Sequence, residues 1–515
     1  MSFMLNSATA PLWASSLVSR FRRWFSRPES YLLLLLLLAT FPLYYELGRN
    51  PVQLYDESRV AVNAVEMTRN GHWLTTYYDG SPDHWNTKPP LLIWLQALSF
   101  TAFGYSTWAL RLPTLLASMG TVLLVFFFAA RVLKRPVGGL LAGMVLATSA
   151  GYVRLHVART GDYDALLTFW QVLLWISFFC YLETEHRRYL GWLTVALLAA
   201  ALTKGPAALL GLPGLAAYAI WHRKLGWLLR RPDLYMAAGL WLLVMSAYFL
   251  LREPLDPGYW QAVQANDLGG RLVTTLDNHR YPWDYYIQNI RGHYFTAWLW
   301  AIFPAIIISL IQPEARLRRI TVLLVAFVSS WLLVISYAQT KLDWYDAPIY
   351  PALALLIGLG LNTLYKLVHN LGATHLSRGT RWLSMVALAC AVFYLPYQAI
   401  TQQLITERHS NFGIGANSDL GRYVTRIARQ QPQYPDVTLL TDGMANSMML
   451  YYKAEFEQHP KHHLTILSEN EIAKLTPGTV VVLCNPALHA ALGQVFNLVE
   501  IGQNESCQTV LLLPK

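Results

Sequence analysis

Residues Tyr31 to Leu47 read YLLLLLLLATFPLYYEL, with seven consecutive leucines from Leu32 to Leu38. At 1.5 Å per residue such a run covers about 25 Å, enough to cross a hydrocarbon core. No small-residue cleavage site follows it and further apolar runs do, so it reads as a span and not as a cleavable signal. Directly behind it comes Tyr55-Asp56-Glu57-Ser58-Arg59, an acidic-basic group set where a chain leaving the bilayer meets lipid head groups. That height suits an enzyme acting on a phosphate-linked lipid; an ordinary polar loop is the plain alternative.

The composition settles the solvent. Of 515 residues 54% are hydrophobic and only 14% charged, against roughly 25% charged in soluble proteins. The chain is therefore expected to be an α-helical polytopic membrane protein. Its net charge of +10 collects in short loops: Arg20 to Arg27, Arg131 to Arg135, Arg187-Arg188, Arg223 to Arg231, Arg316 to Arg319, and Arg378 with Arg381. By the positive-inside rule each cluster marks a cytoplasmic turn, so the charge is topological and calls for no nucleic acid.

Between the clusters the sequence predicts spans near 31–47, 109–130, 137–153, 165–182, 190–203, 206–221, 234–251, 294–311, 320–338, 348–366 and 382–400. The run 91–103 is too short to cross and is expected along the interface. About eleven spans, with a range up to thirteen, put the N-terminus inside and the C-terminal segment outside. Residues 1–400 form the membrane part, with two long extra-cytoplasmic loops at 48–90 and 252–291. Their Trp, Tyr, Asp, His and Arg content argues against disorder.

Residues 401–515 read as a soluble periplasmic α/β domain. Strands are predicted at Val437–Leu440, Leu464–Leu467, Val480–Leu483, Leu498–Ile501 and Val510–Leu513. Helices are predicted from Ser418 to Gln430, over Met444–Tyr452 and over Pro486–Val495. Cys180 and Cys390 lie in spans and simply pack there. Cys484 and Cys507 lie where a disulfide can persist, but spacing alone does not pair them. No metal-type cysteine or histidine signature occurs.

The ionisable groups at membrane depth all fall on one side. They are Asp56, Glu57 and Arg59; Lys88; Arg154, His156, Arg159, Asp162 and Asp164; Lys204, in a tight hairpin; Arg271, His279, Arg280 and Asp284; and Lys341, Asp343, Tyr345 and Asp346. Costly at that depth, such groups are functional candidates by default. Lys88, Arg111 and Lys204 could equally snorkel, and Trp283, Tyr285 and Tyr286 fit an aromatic belt. A lipid-linked phosphosugar needs cations on its phosphate. It also needs a carboxylate to deprotonate the acceptor and stabilise the anomeric carbon. Candidate catalytic acids are Asp56, Glu57, Asp162 and Asp164. Candidate phosphate ligands are Lys88, Arg59, Arg271, Tyr345, Lys204 and Lys341. Candidate substrate contacts are Tyr55, His279 and Trp283.

The stretch from Tyr55 to Arg59, with Gly71-His72-Trp73, Asn86-Thr87-Lys88-Pro89-Pro90-Leu91 and Arg111-Leu112-Pro113, resembles the bacterial aminoarabinose transferase and protein O-mannosyltransferase group of integral-membrane glycosyltransferases. Gly161-Asp162-Tyr163-Asp164, Leu202-Thr203-Lys204-Gly205-Pro206 and Lys341-Leu342-Asp343-Trp344-Tyr345 extend the likeness, in order, over roughly residues 50–355. The resemblance implies a GT-C fold, a polyprenyl-phosphate-sugar donor and transfer outside the cytoplasm to lipid A or another envelope glycan or lipid. It puts the first-loop acid on Asp56 beside Arg59, the second-loop acid on Asp162 or Asp164, and the donor-phosphate lysine on Lys88. Later phosphate contacts fall on Arg271 and Tyr345. Where the aminoarabinose transferases carry a metal-associated Glu before Lys-Pro, this chain has Asn86-Thr87, which argues against a metal there. No cofactor is implied, though a divalent metal stays open. A ligase or polymerase of lipid-linked oligosaccharides is the alternative enzyme. A lipid flippase or transporter is the non-enzymatic rival, which would spread its polar groups through the midplane and show repeats.

Overall fold

The computed structural model describes residues 28–270, 279–371, 378–409, 423–424, 426–427, 434–443, 445–458, 461–503 and 507–515. The apolar runs form helices α1 (Pro28–Tyr44), α4 (Thr107–Phe127), α5 (Pro136–Ala147), α6 (Tyr163–Thr184), α7 (Arg187–Lys204), α8 (Leu212–Trp221), α9 (Pro232–Arg252), α10 (Thr296–Ile311), α11 (Ala315–Tyr337), α12 (Ile349–Leu371) and α13 (Arg378–His409). Two further helices, α2 (Asp56–Asn70) and α3 (Leu91–Phe103), lie between α1 and α4. Among the described residues, helices α4, α6, α7, α9, α11 and α12 are long and apolar enough to cross a membrane, and Tyr285–Tyr294 with α10, a pair bent by 112°, makes a seventh if counted as one span. The four shorter apolar helices, α1, α3, α5 and α8, have 10–17 residues. The chain is a multi-pass membrane protein.

Helix α5 packs between α1, α4 and α12, and α12 against α10 and α11. Small residues bring the backbones together: a Cβ on Gly358 would lie 2.5 Å from the Ala142 nitrogen, and one on Gly360 2.6 Å from the Ala305 Cβ. Such close approach replaces the hydrophobic drive that lipid does not provide.

Three expectations change. The span expected over 137–153 ends at Ala147, where the Thr148 and Ser149 hydroxyls bond back to the Met144 and Val145 carbonyls and residues 148–162 turn irregular. The tight hairpin expected around Lys204 is replaced by a single stretch, Arg187–Leu209, prolonged by a 3₁₀ turn; α8 packs instead on α11. The stretch 48–90 is not a loop throughout. It holds α2 and a short hairpin, β1 (Tyr77–Tyr78) with β2 (Ser81–Pro82).

The C-terminal strands fall where the sequence places them: β3 (Asp436–Thr441), β4 (His463–Ser468), β5 (Val480–Leu483), β6 (Asn497–Gln503) and β7 (Gln508–Leu513). They form one sheet in the order β4-β3-β5-β7-β6, parallel across β4-β3-β5 and antiparallel beyond. A disulfide joins Cys484 to Cys507, next to the β5–β7 pairing. Helix α14 (Ser447–Glu457) occupies the region expected helical from Met444, three residues late because Asn446 supplies the N-cap. Helix α15 (Pro486–Val495) is as expected. The helix read over 418–430 falls largely outside the described residues.

Helix α14 packs on α2. The Ser447 and Ser58 hydroxyls lie 2.7 Å apart, and the Tyr452 hydroxyl accepts from the Val52 N–H at 2.9 Å.

Beneath this contact lies the central buried ion pair. Arg111 of α4 donates to both Glu57 oxygens, at 2.6 and 2.8 Å, and to the carbonyls of Leu47, Asn50 and Pro51. Glu57 also accepts from the N–H groups of Gln53 and Gly161. All five guanidinium bonds are therefore made. A pair with no solvent exposure to speak of persists only when it is saturated in this way.

Removing one partner leaves a bare buried charge. Arg111→Met is expected to lower stability by about 3–5 kcal/mol, read as a reduced melting temperature of the purified protein. Adding Glu57→Met to that variant is expected to recover part of the loss.

Candidate active site

Glu57 and Gly161 share one bond, and each has a carboxylate next to it in sequence: Asp56 at the start of α2, and Asp162 preceding α6. The ion pair thus brings the two acids to one place. Between them stands His156. Its Nδ1 lies 3.3 Å from Asp162 Oδ2 and 3.8 Å from Asp56 Oδ2. Its ring is stacked on Trp344, centroids 3.6 Å apart and planes 11° from parallel. Thr160 accepts from the His156 N–H at 2.7 Å and donates to Asp162 Oδ2 at 2.5 Å.

Three connected spaces meet here. A polar cavity of about 540 Å³ is lined by Tyr55, Asp56, Trp85, Lys88, His156 and His279, among others. A narrow throat of about 20 Å³ follows, walled by Asp56, Lys88, His156, Asp162, Asp164, Lys204 and Tyr345. Beyond it opens a groove of about 310 Å³ whose walls are apolar, from Leu167, Pro206, Ala207, Leu210, Val334 and Ile335. Lys88 borders all three spaces.

The cations of the throat are fixed from behind. Lys204 Nζ lies 2.6 Å from Asp164 Oδ1 and 5.0 Å from the Tyr345 ring centroid. Lys88 stands 5.2 Å from the Tyr163 ring. The segment bearing Lys88 is tied to the second extra-membrane stretch: Tyr259 donates to the Thr87 carbonyl, Thr87 donates to Asp267, and Arg252 donates to Thr76. Trp344 and Tyr345 sit on a 3₁₀ turn, Asp343–Asp346. Arg154 holds that turn, donating to the Asp343 carbonyl and to Asp346 at 2.6 Å, while Tyr285 and Tyr294 donate to Asp343.

The structure sorts the candidates named from sequence. Asp56, Asp162, Asp164, Lys88, Lys204, Tyr345, Tyr55 and His279 line the connected spaces. Glu57 does not: both its oxygens are committed to Arg111 and backbone N–H groups, so it anchors the acids instead of acting as one. Arg59 is held by Asp83 at 2.7 and 3.1 Å over the Tyr78 ring. Lys341 donates to the Ala338 carbonyl at 2.6 Å and lines none of these spaces. Trp283 is exposed and lines none of these spaces, as an aromatic-belt residue would. Arg271 lies outside the described residues. Sequence reasoning gave no role to the walls Trp85 and Trp344 or to the clamp Asp83.

Asn86-Thr87 stands where the resemblance implies a metal-associated carboxylate; Thr87 donates to Asp267, and the Asn86 amide is already used. It donates to Asn63 and Tyr163 and accepts from the Tyr163 hydroxyl. A neutral, fully bonded amide does not fit a metal ligand. Among the described residues no group of three or more His, Cys, Asp or Glu is placed to hold an ion.

Residues 87–250 match the family model of dolichyl-phosphate-mannose-protein mannosyltransferases. An undecaprenyl phosphate-α-4-amino-4-deoxy-L-arabinose arabinosyl transferase of Pseudomonas fluorescens is 28% identical over 70% of this chain and 65% of its own length. One from Pseudomonas aeruginosa is 28% identical over 69% of this chain and 64% of its own. The chain therefore spans just under two thirds of these relatives. ArnT from Cupriavidus metallidurans, solved bound to undecaprenyl phosphate, shares the fold at a TM-score of 0.65, with 18% identity over 93% of this chain and 97% of that one. An Archaeoglobus fulgidus oligosaccharyltransferase shares it at 0.53, with 12% identity over 95% of this chain and 76% of that one. The resemblance read from the motifs holds. The chain is aminoarabinose transferase-like in sequence and has the GT-C fold.

Burial raises the Asp162 carboxyl to about 7, with His156 opposing the rise and Glu57 and Asp56 adding to it. Its folded value lies above its unfolded one. Its contribution to stability is thus complete below about pH 4 and is lost as pH climbs through about 7. Asp162→Asn cannot ionise. Relative to wild type, this variant is expected to gain thermal stability between pH 5 and pH 8, measured as a difference in melting temperature at the two values.

Proposed function

From an aminoarabinose transferase-like sequence on a GT-C fold, we propose an inner-membrane glycosyltransferase that moves one sugar from a polyprenyl-phosphate carrier to an envelope glycan or lipid such as lipid A. One observation carries this reading: a throat of two lysines and three carboxylates joins an apolar groove to a wide polar cavity. The groove suits a prenyl chain, and the cavity walls Trp85 and Trp344 offer flat faces to a sugar-bearing acceptor.

Transfer follows from the order of these groups. The acceptor oxygen attacks the anomeric carbon from the polar cavity. The bond from that carbon to the phosphate oxygen breaks, and its electron pair leaves with the phosphate. Lys88 and Lys204, beside Tyr345, meet the growing negative charge at the groove mouth. Asp56, half exposed to the cavity, takes the acceptor's proton and faces the positive charge developing on the sugar.

Sidedness supports the same reading. Helix α6 has 22 residues and spans about 33 Å. Asp162 and Asp164 stand at its first end. Near the other, Arg316 and Arg319 meet Glu183, and Lys224 meets Glu185. The basic turns thus gather opposite the throat, as the positive-inside rule requires if the throat opens outside the cytoplasm. The Cys484–Cys507 disulfide suits an oxidising compartment for the C-terminal sheet. A flippase or transporter would distribute ionisable groups along the path through the bilayer; here the acids and lysines of the throat gather at one end of the helices, with the basic turns at the other.

Asp56→Asn keeps the shape and removes the charge. In reconstituted vesicles it is expected to lower kcat by about 10²–10⁴-fold with expression unchanged. Lys88→Ala removes a charge-assisted contact of about 1.5–3 kcal/mol and is expected to weaken donor binding roughly 10- to 100-fold. Near-normal turnover by the first variant together with intact donor affinity in the second would sink the proposal.

A further inference from the structure

The segment 83–88 carries two residues that border both the throat and the polar cavity, Trp85 and Lys88, and the other four are tied down. Asp83 is 1% exposed and accepts five bonds: two from the Arg59 guanidinium, one from the Asn63 amide, and one each from the Trp85 and Asn86 N–H groups. His84 meets Asp256 at 2.6 Å, and the Asn86 amide donates to Asn63 and Tyr163. Thr87 donates to Asp267 and accepts from Tyr259. Bonds to an ionised carboxylate are among the stronger ones. An irregular stretch anchored in this way presents its two remaining side chains in one orientation.

Lys88 has a role at the phosphate, whereas Trp85 has so far been only a wall. Its indole is 44% exposed and lines a polar cavity, which an aromatic-belt residue facing lipid would not do. Arg59 lines none of the three spaces. Its guanidinium lies over the indole at 5.0 Å and over the Tyr78 ring at 3.8 Å. The indole is therefore backed by a cation whose own place is fixed by Asp83. A flat, electron-rich face held open toward a polar space suits the C–H face of a sugar ring.

The position of Lys88 says which ring. Its Nζ stands 5.8 Å from the same indole. With a phosphate at that ammonium, the ring within reach of Trp85 is the one bonded directly to the phosphate. Trp85 also borders the throat, where Asp56 and Asp162 stand. Resting on the transferase reading, we infer that Trp85 is the platform for the transferred sugar, and that Asp83 is a positioning residue that sets this platform through Arg59 and the Trp85 N–H. For Trp85 the ligand narrows to the donor's own sugar. One segment thus recognises both parts of the donor, the phosphate by charge and the sugar by its flat face. The consequence is discrimination: a loaded carrier gains a contact that the spent carrier lacks, so the product leaves more readily than the donor.

The test uses the full-length protein in lipid nanodiscs. Its ligands are undecaprenyl phosphate, bare or carrying 4-amino-4-deoxy-L-arabinose or mannose. Wild type is expected to bind at least one loaded form about 10-fold tighter than the bare carrier. Trp85→Ala is expected to lose that preference while its Kd for the bare carrier stays within about 2-fold of wild type. Trp85→Leu, which keeps apolar bulk without a flat face, is expected to do the same, and Trp85→Phe to retain most of the preference. Asp83→Asn is expected to lose part of the preference. Combined with Trp85→Ala it is expected to lose no more of it than Trp85→Ala alone, since both act on one contact.

A wild-type preference that survives in Trp85→Ala overturns the platform. So does an equal loss of affinity for loaded and bare carrier, which marks Trp85 as a structural prop. If Trp85→Ala fails to fold, the Trp85→Leu and Trp85→Phe pair decides by the same ratio. Losses that add in full in the double variant overturn the role of Asp83. A wild type that binds the bare carrier and prefers neither loaded form overturns the platform and leaves the transferase reading standing. A wild type that binds none of the three carriers overturns both.

Discussion

The buried Glu57–Arg111 pair is the constraint on which the rest of the site depends. It joins the end of the first apolar run, the start of α2, the face of α4 and the turn before α6, through bonds to Leu47, Asn50, Pro51, Gln53 and Gly161. Because an unsaturated buried charge is so unfavourable, the four segments have little freedom to separate. Asp56 and Asp162 are each one residue from an anchored position. Two acids more than a hundred residues apart in sequence are thereby held against one imidazole. The contact of α14 with α2, through Ser447 and Tyr452, braces the same element from outside. The C-terminal sheet so has a mechanical link to Asp56 without lining the throat.

The apolar pattern made the helices, the strands and their order readable, because burial in lipid and in a sheet core leaves a periodic trace. Asp56, Asp162, Lys88 and Lys204 stood out in the sequence as ionisable groups at membrane depth, and in the structure they line the same group of spaces. Other features left no such trace. Helix α2 hides in a polar-looking stretch because its buried apolar run, Val60 to Val65, is short, broken by Asn63 and flanked by charge on both sides. The end of α5 at Ala147 depends on Thr148 and Ser149 bonding backwards, which hydropathy does not register.

Distinguishing an anchoring acid from one facing the cavity also needed three dimensions. Glu57 and Asp56 are neighbours of like chemistry. Only the approach of Arg111 from 54 residues away commits one and leaves the other facing the cavity. Likewise Lys341 and Lys88 read alike in sequence. The structure turns the first to the Ala338 carbonyl and leaves the second bordering all three spaces. His156 is an ordinary histidine in the sequence, and its meaning comes from Trp344, 188 residues downstream.

Physically, the account rests on a separation of media. On the proposed function the prenyl chain would lie in the apolar groove, the phosphate at the lysines, and the sugar among the carboxylates at the edge of the wide cavity. Low dielectric around the throat strengthens each charge interaction there without requiring reorganisation during transfer. The measurement that tests this most directly is a structure of the protein with undecaprenyl phosphate bound in lipid nanodiscs. The account predicts phosphate density bounded by Lys88, Lys204 and Tyr345, with the prenyl chain along Leu167, Leu210, Val334 and Ile335. Lipid density elsewhere, as in the apolar groove lined by Trp300, Leu388 and Phe393, with the throat left empty, would contradict it.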